Sequence, residues 1–562
     1  MKKITILCIL LLCVVTGTMA QKTVTVSGIV SDSNKEPLIG VNIIVKDVPG
    51  LGAITDINGK YTIKVEPYNR LVFSYIGYKT QEIKFTGQSP LNVKMIPDNQ
   101  TLDEVVVVGY GTMKRSDLTG SVASIAAKDV EGFKTSSVAG ALGGQIAGVQ
   151  ITSTDGTPGA GFSINIRGVG TLTGDSSPLY IVDGFEVDDI DYLSNSDIES
   201  IEILKDADAT AIYGSRGSNG VVLITTKKAL AGKLSVHFNQ SYDISEPASK
   251  MKMMNTEQYL SMRKQAFVNS GISTYPANAY DINGTWDQSR YTDWQEEILG
   301  HKAERSNTQF TVGGGTERTK FMVNLSNSEE STVYGNDFKY RNFNLSNTVS
   351  HQSSDKRFEM SIYNLFGKQK NKQMNSDVAR SAHWLAPNAP ALYTSEGVLN
   401  WENNTFTNPL ADYNATYINE NLQFINNVKG RYTVLSGLNI QLNAGLNHQQ
   451  FEEWSLIPHT IYNPSYGLNA SSSQSYQNMQ RRFSFILEPQ VEYERTLGSH
   501  KLEMIAGASY QSNETKSSYL EGYGFDNNAF IQNIAVAQTK VIGDNLKTEY
   551  KYAAFYGRFN YN

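Results

Sequence analysis

The chain has 562 residues, with 49 basic and 55 acidic side chains and a formal charge of −6. That length calls for several domains, and 46 glycines and 31 tyrosines with only two cysteines favour sheet over helix and leave little disulfide or thiolate-metal chemistry. The acidic balance excludes the basic footprint of a nucleic-acid binder.

Residues 1–20 read as a secretory signal peptide. Lys2-Lys3 form the positive end, Ile4–Val15 the apolar stretch, and Thr18-Met19-Ala20 offers small residues before Gln21. The apolar stretch is too short for a membrane span. Cys8 and Cys13 both fall inside it, so the exported chain is expected to have no cysteine. No run of 18 apolar residues follows, which excludes a helical anchor but not a barrel, whose strands never form such a run.

Residues 22–97 read as a small β-sandwich of Ig type. Its expected strands are Thr25–Asp32, Gly40–Asp47, Gly59–Glu66, Arg70–Tyr78 and Leu91–Ile96, with Asn58-Gly59 as a hairpin turn. "DINGKY" is not a calcium loop, because Lys60 takes its fifth position and Pro67 its twelfth. The phrases "GIVSD", "PLIGVNIIVKD" and "GAITDINGKYTI" resemble the carboxypeptidase-regulatory-like domain found at the N-terminus of many exported Bacteroidetes proteins, an accessory sandwich rather than a peptidase.

Residues 101–112, "TLDEVVVVGYGT", read as a linker holding a β-prone ribbon. Val105–Val108 has no obvious partner strand, and Asp103-Glu104 before it and Lys114-Arg115 after it limit self-pairing. Gly109 and Gly111 leave the joint flexible.

Ser121–Lys228 reads as mixed α/β, with a short helix and strand over Ser196–Asp206 and a buried strand at Val221–Thr226. Its glycines do not make a phosphate loop, since no Gly-Lys-Ser/Thr follows. The phrases "INIRGVGTL", "PLYIVDG" and "ILKDADATAIYGSRGSNGVVLITTKK" resemble the plug domain of SusC/RagA-like TonB-dependent outer-membrane transporters, and "DEVVVVGYGT" resembles that family's TonB box. The resemblance implies a plug over 113–229 and TonB binding by Asp103, Glu104, Val105, Val106, Val107, Val108, Gly109 and Tyr110. It also implies that Arg167, Asp183, Lys205, Asp206 and Arg216, which lie in the plug phrases, pack or gate the plug.

From 232 to 562 the pattern becomes period-two. Leu438, Ile440, Leu442, Ala444 and Leu446 share one face, and Phe483, Phe485, Leu487, Val491 and Tyr493 another. Ten strands are expected: Lys233–Asp243, Ser306–Gly313, Lys320–Ser328, Lys339–Ser350, Arg357–Gly367, Asn421–Leu435, Leu438–Gln449, Arg481–Arg495, Lys501–Gln511 and Thr548–Asn562. A soluble sandwich would alternate too. The links alternate between short and long, with one of medium length, as the tight periplasmic turns and long external loops of an outer-membrane barrel do. All five tryptophans, Trp286, Trp294, Trp384, Trp401 and Trp454, are expected in the long links, packing loops or stacking on ligand. Ten strands cannot enclose such a plug, and barrels of about 22 strands do, so the chain is expected to be part of a longer protein.

No catalytic, cofactor or metal motif emerges, and no enzyme is expected. The histidines are scattered and no nucleophile elbow occurs. Asp188-Asp189 and Glu452-Glu453 are sequence neighbours that point to opposite faces of a strand. The whole reads as mainly β: an Ig-like carboxypeptidase-regulatory-like sandwich, an α/β plug, then an incomplete antiparallel transmembrane β-barrel in the outer membrane. The resemblance implies TonB-driven import of oligosaccharides or peptides with a SusD-like surface lipoprotein. A siderophore- or cobalamin-type receptor, or a non-transporting exported adhesion or binding protein, are the alternatives.

Overall fold

The computed structural model describes residues 23–95 except 33–35, 47, 49–50 and 76–77. It further describes the backbone of 105–108 and 111–114, residues 122–126 and 129, and 137–561 except 154–155, 172, 175 and 499. The expected signal peptide and Asp103, Glu104, Gly109 and Tyr110 lie outside the described residues. The chain forms two compact units, one essentially 1–106 and the other essentially 119–562.

The first unit is a two-sheet sandwich. Its strands are β1 (Val24–Ser31), β2 (Asn42–Val45), β3 (Gly52–Ile54), β4 (Lys60–Val65), β5 (Arg70–Ser74), β6 (Gln81–Lys84) and β7 (Val93–Lys94). One sheet runs β4-β1-β7 and the other β3-β2-β5-β6. Alternation in β4 turns Tyr61, Ile63 and Val65 inward, where they meet Val26, Ile43, Leu71 and Phe73 in one core. The Asn58-Gly59 turn forms, but it is not a hairpin. It joins β3 to β4, which belong to different sheets. The Asp56 carboxylate sets it by accepting the N–H groups of Asn58 and Lys60, each at 2.8 Å, and Gly59 takes φ 68°.

Val105–Val108 (β8) is not unpaired, contrary to the linker reading. It forms a two-stranded sheet with β9 (Gly111–Lys114). Two residues separate them, which permits only an antiparallel return. Gly, Thr, Met and Lys carry little strand signal of their own, so the partner is hidden in the sequence. The ladder occupies one edge of β8, and among the described residues no strand pairs with the other.

The second unit begins with a five-stranded mixed sheet in the order β10-β15-β16-β13-β14. The strands are β10 (Val122–Ala126), β13 (Leu179–Val182), β14 (Phe185–Val187), β15 (Ile198–Leu204) and β16 (Val221–Thr226). A separate hairpin joins β11 (Val149–Ser153) to β12 (Phe162–Ile166). β16 is a nearly continuous apolar strand buried on both faces, whereas β15 carries Glu199, Ser200 and Glu202 among its apolar residues and buries its second half.

A ten-stranded antiparallel meander follows in strict chain order: β17 (Gly232–Ser245), β18 (Ala303–Gly315), β19 (Thr319–Ser331), β20 (Lys339–Gln352), β21 (Phe358–Met374), β22 (Thr416–Leu435), β23 (Leu438–Ile457), β24 (Gln474–Leu497), β25 (His500–Tyr523) and β26 (Thr539–Tyr561). Every expected strand is present, but most run several residues further toward the long links, and β24 and β25 reach 24 residues each. A tilted membrane crossing needs only about 9–11, and beyond it both faces are wet and the alternation that marks a strand fades. The sheet is inside out relative to a soluble core. Phe310, Phe366, Phe424, Ile440 and Phe483 are exposed on one face, while Asn324, Asn344, Asn427, Asn443 and Gln490 are buried on the other. Among the described residues no helix is long and apolar enough to cross a membrane, which says nothing of strands.

Candidate functional site: the seat of the plug

The mixed sheet sits against the polar face of the meander, and their contact is the best-defined site in the chain. Its centre is the β13–β14 hairpin. Asp183 and Gly184 form its two-residue turn with φ 51° and 87°, the paired positive values of a type I′ turn. The Asp183 carboxylate accepts the Thr226 N–H at 3.0 Å and the Thr226 hydroxyl at 2.5 Å. Burial nevertheless pushes this carboxyl above its usual range, and the two bonds only partly offset it.

The wall holds this hairpin by its backbone. Asn427 of β22 donates to the Asp183 carbonyl at 2.9 Å, and Asn443 of β23 to the Gly184 carbonyl at 3.3 Å. Further along, Gln369 and Asn371 of β21 donate to the carbonyls of Asp191 (3.0 Å) and Pro158 (3.1 Å). Between these polar contacts lies an apolar socket. Phe185, 2 % exposed, fills a notch where β23 carries Gly445, and a Cβ there would come within 2.4 Å of the ring. Tyr363, Leu365, Ile425 and Ile486 of the wall complete the same core.

Charged groups fasten the rim. Arg216 donates to Glu186 at 2.5 Å and to Gln511 of β25 at 2.6 Å, and its guanidinium lies 4.3 Å from the centre of the Tyr552 ring. Arg482 of β24 pairs with Asp188. Asp197, 3 % exposed, accepts from Asn324 and from Ser346 at 3.3 Å. Burial pushes its carboxyl up to about 6 despite those donors. Burial likewise carries Glu202 to about 7 and, with the neighbouring Asp191 charge, Asp189 to about 6.

The five charges singled out from sequence therefore divide. Arg216 puts its charge on the wall, whereas Asp183 meets the wall only through its main-chain carbonyl, its carboxylate bonding Thr226 within the plug. Arg167, Lys205 and Asp206 bond within the plug: Arg167 pairs with Asp206 and its N–H donates to the Gly148 carbonyl at 2.8 Å, while Lys205 donates to the Ala147 carbonyl at 3.1 Å. These three clamp the β11–β12 hairpin to the end of β15. Asp188 and Asp189 do separate, as neighbours on an extended chain should, with Asp188 on Arg482 and Asp189 accepting the Asp191 N–H at 3.3 Å. Sequence reasoning missed Asp197, Glu186 and the wall amides. The wall amides were visible only as the polar half of each strand's alternation.

The long links carry their own core of Trp294, Ile298, Phe338, Leu392, Phe406 and neighbours. Trp286 donates to the Thr405 hydroxyl at 2.9 Å and Trp294 to the Ala386 carbonyl at 2.8 Å, so both pack loops. Trp384 is 72 % exposed under the Arg380 guanidinium. Trp454 lies in β23 rather than in a loop, a consequence of the strands' extra length. Among the described residues no group of three or more His, Cys, Asp or Glu is placed to hold a metal ion.

Comparison with known proteins agrees with this architecture. Residues 114–221 match the TonB-dependent Receptor Plug Domain family, and residues 26–107 match the CarboxypepD_reg-like domain family. The chain is 31% identical over 554 residues to TonB-dependent receptor P3 of Formosa agariphila, covering 95% of this chain and 53% of that protein. It is 29% identical over 578 residues to TonB-dependent receptor SusC of Bacteroides thetaiotaomicron, covering 96% and 55%. Among solved structures, the RagAB peptide importer in its open-open state superimposes with a TM-score of 0.68 at 23% identity, over 82% of this chain and 55% of that one. The ferric citrate transporter FecA superimposes at 0.51 with 11% identity, over 79% and 54%. The chain spans about half the length of the curated relatives it matches. Over most of its own length it is SusC-like, with a plug and a CarboxypepD_reg-like domain.

Proposed function

We propose that this chain works in TonB-dependent import across an outer membrane. It takes up oligosaccharides or peptides together with a SusD-like surface lipoprotein. The observation that carries this reading is a folded plug held against the polar face of a lipid-suited sheet by wall-to-plug hydrogen bonds. An adhesin has no use for a domain seated there. The similarity to SusC and to the RagAB importer favours the nutrient class over chelated iron.

An outer membrane has no nucleotide supply and no ion gradient of its own, so uphill import needs energy from elsewhere. The segment Asp103–Tyr110 is the handle for it. An open strand edge accepts a partner strand through main-chain bonds with little demand on side chains. Beyond β9, a pull reaches β10, the edge strand of the plug sheet. Arg216 and Asp183 then act at the wall, and Arg167, Lys205 and Asp206 hold the plug together while it is loaded. Deleting Asp103–Tyr110 should abolish uptake and leave membrane insertion and folding intact. Uptake that survived the deletion would sink the coupling claim.

A further inference from the structure

The exposed apolar face of the meander carries a polar row. Asn347 of β20 faces Asn364 of β21, and Asn364 faces Asn426 of β22. Their amides join side by side. Asn364 donates to the Asn347 side-chain carbonyl at 3.0 Å, and Asn426 donates to that of Asn364. The neighbours of the row are apolar. Two residues either way along the strands lie Leu345 and Val349, Ile362 and Phe366, and Phe424 and Val428, and the row ends on Val323 and Leu446. The row also sits at mid-height. On β21 and β22 it lies six residues from the facing pair Phe358 and Tyr432 and six from the facing pair Lys370 and Glu420, or about 20 Å along the strands each way. A polar side chain at the middle of a membrane crossing is costly, and an amide there has no water to bond.

We propose that these asparagines are positioning residues of the plug seat: the amide row fixes β21 against β22, and so lines up the wall donors that hold the plug. The inference rests on the membrane reading above, which places this face in hydrocarbon. β20 and β21 need little help, because the tight turn between them closes with the Phe358 N–H on the Ser353 hydroxyl at 2.9 Å. β21 and β22 are joined by residues 375–415, a link too long to set a register. A slip of one residue would turn the phenylalanines of this face inward, so the pleat forbids it. A slip of two would not. The facing pairs Ile362 with Val428 and Phe366 with Phe424 would exchange apolar partners. The charges at the outer rim are equally tolerant, since Glu420 faces Lys370 and would meet Lys368 or Lys372 after a slip either way. The amides do distinguish the registers. Asn364 would then face Phe424 or Val428, and its bond with Asn426 would be lost. Water replaces such a bond at a wet surface, but hydrocarbon cannot. The consequence reaches the inward face. Gln369 of β21 holds the Asp191 carbonyl and Asn427 of β22 the Asp183 carbonyl, and a slip of two would shift one donor against the other by about 7 Å.

The test uses the full-length protein in outer-membrane vesicles. Phe358 and Tyr432 are 38% and 47% exposed, so oxidation can reach cysteines placed there. Phe358→Cys with Tyr432→Cys reports the native register, because facing residues lie about 4.5–5.5 Å apart, within disulfide reach. Phe358→Cys with Gly430→Cys, or with Val434→Cys, reports a slip of two either way, since such diagonal pairs lie about 7–8 Å apart in the native register and close poorly. The three pairs are placed in the wild type, in Asn426→Leu and in Asn426→Gln, which keeps an amide in the row. Asn426→Leu should raise a slipped-pair disulfide at least about tenfold, with Asn426→Gln within about twofold of wild type. Protease should cut the plug of Asn426→Leu at least about tenfold faster as well. Leucine suits hydrocarbon better than asparagine, so a row that served stability alone would leave Asn426→Leu in one register. That result, the native-pair disulfide alone at wild-type yield, would overturn the proposal and leave the import reading standing. Slipped pairs without faster plug cutting would overturn the link to the seat. Asn364→Ile, read by the same pairs, is the second variant if Asn426→Leu is lost from the membrane. Loss of both, with Asn426→Gln retained, would overturn the proposal by making the row a requirement of insertion rather than of alignment. Wild-type protein missing from the outer-membrane fraction would overturn the membrane reading and the proposal with it.

Discussion

Arg216→Ala tests how firmly the rim holds the plug. Arg216 and Glu186 are 14% and 15% exposed, close enough to buried that removing one partner strands the other charge. Breaking such a pair costs about 3–5 kcal/mol, and the lost contact with Tyr552 adds about 1 kcal/mol. Water can reach the freed carboxylate in part, so about 3 kcal/mol is the working figure, or roughly a 100-fold rise in plug opening. The assay is the initial rate of plug cleavage by a nonspecific protease in the full-length protein. That rate follows the opening equilibrium when reclosing outpaces cleavage. Removing both charges at once, with Arg216→Met and Glu186→Leu, should recover more than half of the loss, because no charge is left unpaired. An Arg216→Ala rate within about threefold of wild type, a difference of only about 0.7 kcal/mol, would refute the argument. So would a double variant no better than the single one.

Gly445→Ala should lower the same protection by about 1–3 kcal/mol, since its Cβ meets Phe185 at 2.4 Å, and adding Phe185→Leu should restore part of it. Asp197→Asn tests the pH dependence. The Asp197 carboxyl titrates near 6 in the folded plug and near 3.8 when free, so the folded state holds its proton longer. Its contribution is present in full below pH 4 and is lost as pH rises through 6. The variant should therefore gain up to about 3 kcal/mol relative to wild type at pH 7 and nothing at pH 4, read from protease protection at both. Equal differences at the two pH values would refute the assignment.

The ten wall strands were legible because an exposed apolar face and a buried polar one impose a strict period of two. Their outer ends were not. At Glu452-Glu453 and around Tyr519 both faces meet water or loop, and the alternation that marks a strand disappears. In the sandwich, β3 and β6 are three and four residues long and too brief to show a pattern. The seat of the plug was legible only as charges in familiar phrases. Only the Arg216 charge reaches the wall, whereas the other four bond inside the plug, and sequence spacing cannot separate the cases. The amides that do most of the holding look like any polar strand residue until the plug is placed against them. Val105–Val108 was legible as a strand but not as a paired one, because glycine opens its partner.

The direction of the wall's hydrogen bonds has an evolutionary corollary. Asn427, Asn443, Gln369 and Asn371 donate to main-chain carbonyls, which every residue type supplies. Side chains at Asp183, Gly184, Asp191 and Pro158 can thus drift under other pressures without loosening those four bonds, provided the turn geometry survives. The barrel side has no such licence, because Asn or Gln must stay at each of the four places. Substitution at this interface should be lopsided, with the wall holding still while the plug varies.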